Sequence, residues 1–157
     1  MLQFYHSQKI LFLKEVVKLT IKKTLRWLIP ILWFALVIFL SCQTGSESEK
    51  MTTIVAKTFF PAITPGSIYF GLRLFAHFGI HFVLSVLIYQ AARYEVSQPA
   101  SFTLICGFTV AICDELMQLF VTGRIFELSD IALNLAGIFT GIAIFVMFTP
   151  QQKTALL

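Results

Sequence analysis

Charged residues are scarce in this chain, and their scarcity excludes an ordinary soluble domain. Only 13% of the 157 residues are Asp, Glu, Lys or Arg, whereas 57% are apolar; soluble domains carry roughly 25% charged residues. The net charge is +4, but the basic residues cluster beside apolar runs instead of covering a polar face. That placement is typical of membrane topology, so nucleic acid is not an expected partner.

Several chemical signatures are also missing. The three cysteines, Cys42, Cys106 and Cys113, form no Cys-x-x-Cys pair, which argues against redox chemistry. Cys106 and Cys113 would lie about 10 Å apart along one helix, too far to form a disulfide. The chain has no nucleophile motif, phosphate-binding loop or small-x-small cleavage site. The alternating pattern of barrel strands is absent too, so helices are the expected membrane-crossing elements.

Four charge-poor runs predict four transmembrane helices, at about 27–41, 73–92, 100–121 and 130–148. Each run is close to the roughly 20 residues that a helix needs to cross the hydrocarbon core. The predicted fold class is therefore an all-α membrane protein with one four-helix bundle over residues 27–148. A basic amphipathic helix over residues 1–26 is expected to precede the bundle, and residues 149–157 to form a tail.

Lys and Arg predict the orientation. Eight of them adjoin the N-terminus, the link between spans two and three, and the C-terminus, against four on the opposite side. The positive-inside rule then places both termini in the cytoplasm. In the N-terminal segment Lys14, Lys18 and Lys22 recur every four residues. This stripe is expected either to set topology or to contact anionic lipid headgroups. The outer connection, residues 43–66, is expected to carry a short helix that packs at the interface or covers a pocket.

Polar residues from three spans fall at one depth near the outer surface. Because a charge at the bilayer centre costs at least about 2.5–3.5 kcal/mol, such residues should face one another inside the bundle. The expected ligand-binding residues are Arg73, His77, Glu115, Gln118, Arg124, Asp130 and Asn134, with Asp114 alongside. Gly137 and Gly141 form a small-residue face that predicts close helix packing.

Each of these residues also has a purely structural explanation. Arg124 could pair with Asp130 or Glu115 and fix the turn between spans three and four. Asn134 is a good hydrogen-bonding residue between membrane helices, and His77 could simply bridge helices. Glu115 is the hardest to explain in this way, although a buried ion pair remains a competing interpretation.

Three segments resemble the VanZ-like family. They are Ser41-Cys42-Gln43 with the serine-rich stretch after it, Arg73-Leu74-Phe75-Ala76-His77-Phe78, and Asp114-Glu115-x-x-Gln118-x-Phe120-x-x-Gly123-Arg124 followed by Asp130-x-x-x-Asn134-x-x-Gly137. Leu74, Ile80, His81 and Thr122 stand where that family commonly has Lys, Glu, Tyr and Pro. The resemblance implies an integral protein of the bacterial cytoplasmic membrane, with both termini in the cytoplasm by the charge rule above. Some members are linked to resistance to teicoplanin-type lipoglycopeptides.

Two functions lead the interpretation. In the first, Arg73 and Arg124 would contact phosphate or carboxylate of an amphipathic molecule, such as a lipid-linked wall precursor or a lipoglycopeptide. In the second, an intramembrane enzyme would use Glu115 or Asp114 as general base and His77 as acid. We favour binding, and the enzymatic assignment stays open.

Further alternatives are weaker. A zinc site of His77, His81 and a carboxylate is disfavoured by the usual tyrosine at the His81 position in similar proteins. Proton-coupled transport through the acid–histidine cluster would require an oligomer of four-span subunits. The expectation is therefore no metal and no cofactor, with membrane lipids as partners.

Overall fold

In the computed structural model the chain is described at residues 2–61 and 65–148, with side chains at residues 12–61 and 69–148. Those residues form five helices and no strand: α1 (Leu2–Ser41), α2 (Gly45–Phe59), α3 (Pro65–Ala92), α4 (Pro99–Gln118) and α5 (Leu128–Phe148). The predicted tail at residues 149–157 lies outside the described residues. The all-α fold class is confirmed.

Four of the helices are long and apolar enough to cross a membrane, at Phe12–Ser41, Tyr69–Ala92, Pro99–Gln118 and Leu128–Phe148. α3 begins well before the predicted residue 73, so Arg73 lies inside the helix and not at its start. α4 ends at Gln118 and not at residue 121, because tighter turns follow it. There Phe120 N donates to Met117 O (3.0 Å) and Val121 N donates to Gln118 O (3.1 Å).

The predicted basic N-terminal helix and the first span are one continuous helix of 40 residues. Pro30 lies well inside α1, where it removes one backbone donor from the helix. The indole Nε1 of Trp33 donates to Ile80 O of α3 at 3.0 Å. Near the start of the predicted first span, Lys23 Nζ lies 3.0 Å from Glu95 Oε2 in the α3–α4 connection.

α3 is the central helix, and its most extensive partner is α5. Glycine permits this approach. A Cβ at Gly137 would meet the carbonyl oxygen of Phe78 and, at 2.9 Å, the backbone nitrogen of Phe82. A Cβ at Gly141 would lie 2.9 Å from Phe82 O. The predicted role of these two glycines in close packing is confirmed.

α2 is fixed at its start by a capping box. The Thr44 hydroxyl accepts from Glu47 N (3.3 Å), and Glu47 Oε2 accepts from Thr44 N (2.9 Å). Gly45 N donates to Thr122 O (3.1 Å) in the α4–α5 turn. Gly123 in that turn has a φ of 75°, which favours glycine. α2 therefore lies at the end of the bundle where α1 and α4 finish; we call this the polar end, and the opposite end the basic end.

Candidate functional site

Polar side chains from α1, α3, α4, α5 and the α4–α5 turn meet at the polar end. We call them the polar cluster: Ser41, Arg73, His77, His81, Asp114, Glu115, Gln118, Glu127, Asp130 and Asn134. All but one of the predicted ligand-binding residues are members of this cluster, and the remaining one, Arg124, lies beside it. Ser41 and Glu127 were not predicted as site residues.

Arg73 is held by two carboxylates. Its Nη2 donates to Asp130 Oδ2 at 2.6 Å and lies 2.9 Å from Glu127 Oε1. Asp130 is buried, whereas Arg73 and Glu127 are partly exposed. The arginine that reaches Asp130 therefore comes from α3, and not from the α4–α5 turn that holds the expected partner Arg124.

His77 connects three helices. Its Nδ1 lies 3.1 Å from Asn134 Oδ1 on α5 and 3.9 Å from Glu115 Oε1 on α4. Its Nε2 lies 3.4 Å from Asp130 Oδ2. The imidazole therefore has a polar neighbour at each nitrogen, in a largely buried position.

Asp114 and Glu115 are adjacent buried acids with different neighbours. Asp114 accepts from Asn134 Nδ2 (3.3 Å) and from the Ser41 hydroxyl. Glu115 accepts from Gln118 Nε2 (3.1 Å) and from the Glu127 backbone N–H (3.3 Å). Among the described side chains, no Lys or Arg nitrogen lies within 4.0 Å of either carboxylate. These two acids are therefore stabilised by neutral donors and by histidine, and not by an arginine.

A cavity of about 310 Å³ opens beside the cluster, between α1, α2, α3 and α4. Its polar wall consists of Ser41, Gln43, Ser48, Thr52, His77, His81, Asp114, Gln118 and Arg124. Leu40, Met51, Val55, Phe75 and Ile80 are among its apolar residues. α2 thus forms one wall of the pocket. Glu115, Asp130 and Asn134, predicted to contact a ligand, lie outside the cavity lining and support the residues that form it.

Arg124 is the arginine that lines this cavity. Its Nε donates to Gln43 O at 3.2 Å, and no carboxylate oxygen of the described residues lies within 4.0 Å of its guanidinium nitrogens. Burial and the nearby Arg73 charge lower the pKa of Arg124 from its usual value. Arg124 also borders a neighbouring hollow that Arg73 and Glu127 line. The predicted pairing of Arg124 with Asp130 or Glu115 is not observed.

Helical periodicity in the sequence predicted that the cluster residues within helices would meet, but it did not indicate that Glu127 would join them. That residue lies between the turn and α5, where its side chain reaches Arg73. Ser41 had a weaker signal, since it ends the first span within the Ser-Cys-Gln segment. His81, considered from the sequence for the disfavoured zinc site, is buried in the cavity wall.

Comparison with known proteins identifies the family of this chain. The family model described as VanZ/LLP1 matches residues 26–149, a range that contains the four apolar spans apart from the start of α1, and the whole polar cluster. Neither a curated protein nor a solved structure matches the chain significantly.

Proposed function

Because this chain belongs to the VanZ-like family of membrane proteins, and because charged and apolar residues share one cavity at its polar end, we propose that it binds an amphipathic envelope molecule. The ligand would be a lipid-linked wall precursor or a lipoglycopeptide antibiotic. With both termini in the cytoplasm, the polar end faces the outer leaflet, where either molecule is accessible. Resistance to teicoplanin-type compounds is then one expected consequence of binding.

The observation that carries this proposal is that the Arg124 guanidinium forms no ion pair with a described carboxylate. Its Nε contacts a backbone carbonyl, which leaves the two terminal nitrogens for a ligand. A guanidinium fits phosphate and carboxylate with paired hydrogen bonds. Arg73 is less available to a ligand, because its guanidinium already contacts the carboxylates of Asp130 and Glu127. Arg124 is therefore the expected headgroup contact.

The other side of the cavity suits an acyl or prenyl segment. Leu40, Met51, Val55, Phe75 and Ile80 supply apolar surface, and Phe75 is largely exposed at the rim. The volume of about 310 Å³ is at the lower limit of small-molecule pockets. One headgroup and a short length of chain would fit, with the remainder of the chain in the surrounding lipid.

An intramembrane enzyme is the second candidate, and the position of Asp114 favours it. Asp114 lines the cavity together with His77 and His81, so a carboxylate and two imidazoles can reach one bound molecule. Asp114, and not Glu115, is then the candidate general base. Asp114→Asn would retain the ligand but abolish its conversion, whereas a binding protein would convert no ligand in either form.

The test is native mass spectrometry of the full chain in mild detergent, with Arg124→Ala and Arg93→Ala compared. Arg93 is a matched control because it lies at the basic end, where its guanidinium stacks on Tyr94. We expect the wild type and Arg93→Ala to retain an anionic or prenylated lipid and Arg124→Ala to lose it. Equal retention by all three folded proteins would overturn the proposed role of Arg124.

A further inference from the structure

We propose that the polar cluster also binds one divalent metal ion, held by His77, Asp114 and Glu115. This inference goes beyond the proposed ligand binding and does not depend on it. The nitrogen of His77 and one oxygen from each carboxylate lie within 4.8 Å of one another. Three atoms spaced evenly around one ion at about 2.2 Å lie roughly 3.8 Å apart, so a movement of each by up to about 0.6 Å brings the three into coordination distance.

The groups behind these residues orient them as metal ligands. His77 Nδ1 lies 3.1 Å from Asn134 Oδ1 and 3.9 Å from Glu115 Oε1, so an ion bound at this nitrogen would replace its contact with Asn134. His77 Nε2 lies 3.4 Å from Asp130 Oδ2, and Asp130 is itself fixed by Arg73. A histidine that binds a metal through one nitrogen usually donates its other N–H to a carboxylate in this way. Asn134 Nδ2 similarly donates to Asp114, at 3.3 Å.

The charge of the site also favours a cation. Asp114 is 6% exposed and Glu115 is fully buried. Neither has an arginine or lysine within 4.0 Å among the described side chains. Two adjacent buried carboxylates without a cationic partner are costly. A divalent ion between them would neutralise both charges.

Two buried polar atoms beside the carboxylates have no hydrogen-bond partner among the described residues: Gln118 Oε1 and His81 Nε2. Gln118 is 2% exposed and His81 is 1% exposed. The Gln118 amide is adjacent to Glu115, at 3.1 Å, and His81 Nε2 lies 3.9 Å from Asp114 Oδ2. A bound ion, or a water on it, would give each of these atoms a partner.

This ligand set differs from the zinc site considered from the sequence. That site required His77 and His81 together, whereas the described ligand atoms that lie within 4.8 Å of one another belong to His77, Asp114 and Glu115 and do not include His81. In the present set α3 supplies one imidazole and α4 supplies two carboxylates. One nitrogen and several oxygens suit Mn²⁺ or Zn²⁺ and disfavour Cu(I).

The first experiment is calorimetric titration of MnCl₂ and ZnCl₂ into the full chain after EDTA treatment, in mild detergent without added lipid. We expect about one ion per chain for the wild type. Asp114→Asn and Glu115→Gln should weaken binding by about tenfold or more. Glu95→Gln is the matched control, since Glu95 lies at the basic end, where its side chain contacts Lys23.

A second measurement needs no variant. Pulsed electron paramagnetic resonance of the Mn²⁺-loaded wild type should show coupling to one ¹⁴N nucleus, from His77. Saturable binding with that coupling supports the site. No saturable binding, no nitrogen coupling, or unchanged affinity in folded Asp114→Asn would each overturn it. Ligand retention by Arg124→Ala is measured separately, so the failure of one proposal is distinguishable from the failure of the other.

Discussion

Arg73 on α3 and Asp130 on α5 are joined by a hydrogen bond of 2.6 Å. The carboxylate is almost completely buried, whereas the guanidinium is 38% exposed. Removing a partner from a fully buried ion pair costs about 3–5 kcal/mol, and an exposed pair contributes far less. The Arg73–Asp130 bond lies between these limits and connects the two helices with the most extensive contact.

Arg73→Met should therefore destabilise the protein by about 2 kcal/mol, because Asp130 would remain buried with only His77 nearby. The measurement is a double-mutant cycle of Arg73→Met and Asp130→Asn, followed by unfolding in detergent. The effect of Arg73→Met should shrink when Asp130 is already neutral. Strict additivity of the two substitutions would show that the pair contributes no coupling energy.

Gly137→Ala should destabilise the bundle by about 1–3 kcal/mol. The added Cβ would meet backbone atoms of Phe78 and Phe82, which cannot move without shifting α3. Gly71→Ala is the matched control, because a Cβ there has no neighbour within 4 Å. Thermal unfolding of both variants checks the difference; a Gly137→Ala protein as stable as Gly71→Ala would contradict the close α3–α5 contact.

Acid should loosen the start of α2. Hydrogen bonds from the Thr44 hydroxyl and backbone hold the pKa of Glu47 below its usual value. The stabilisation from a lowered carboxyl pKa is present above the usual pKa of about 4.5 and is lost as the pH falls through the lowered one. Protection of the amide hydrogens at residues 47–50, measured relative to the intrinsic exchange rate at each pH, should therefore decrease at acidic pH. Thr44→Ala should remove most of this pH dependence, whereas Thr58→Ala, at the other end of α2, should retain it.

Cysteine labelling tests the predicted orientation. In a background without the native cysteines, a membrane-impermeant maleimide added to intact cells should label Glu49→Cys in α2 and should not label Gln98→Cys before α4. Both positions are exposed, so access to the reagent decides the result. The reverse pattern would place the polar end in the cytoplasm and would exclude an outer-leaflet ligand.

The sequence was sufficient to predict the helices and the convergence of the polar cluster, because charge-free runs and a spacing of four residues are local properties of the chain. It could not choose between Arg73 and Arg124 as the partner of Asp130. That choice depends on how α3 crosses α5, which Gly137 and Gly141 permit but do not specify. Asp114 and Glu115 are adjacent, so a rotation of α4 by one residue would exchange which of them faces the cavity. Helical periodicity alone does not fix that rotation.

The length of α1 has a further consequence. α4 and α5, with 20 and 21 residues, are each about 30 Å long, the thickness of a bilayer core. The ion pair of Lys23 with Glu95 marks the level on α1 where this layer ends. About 30 Å of α1 precedes Lys23, and its described side chains, residues 12–22, are exposed and include large apolar residues such as Phe12 and Leu19 beside the lysines. If the polar end faces outward, this lysine-containing part of α1, which is as long as the membrane is thick, lies on the cytoplasmic side.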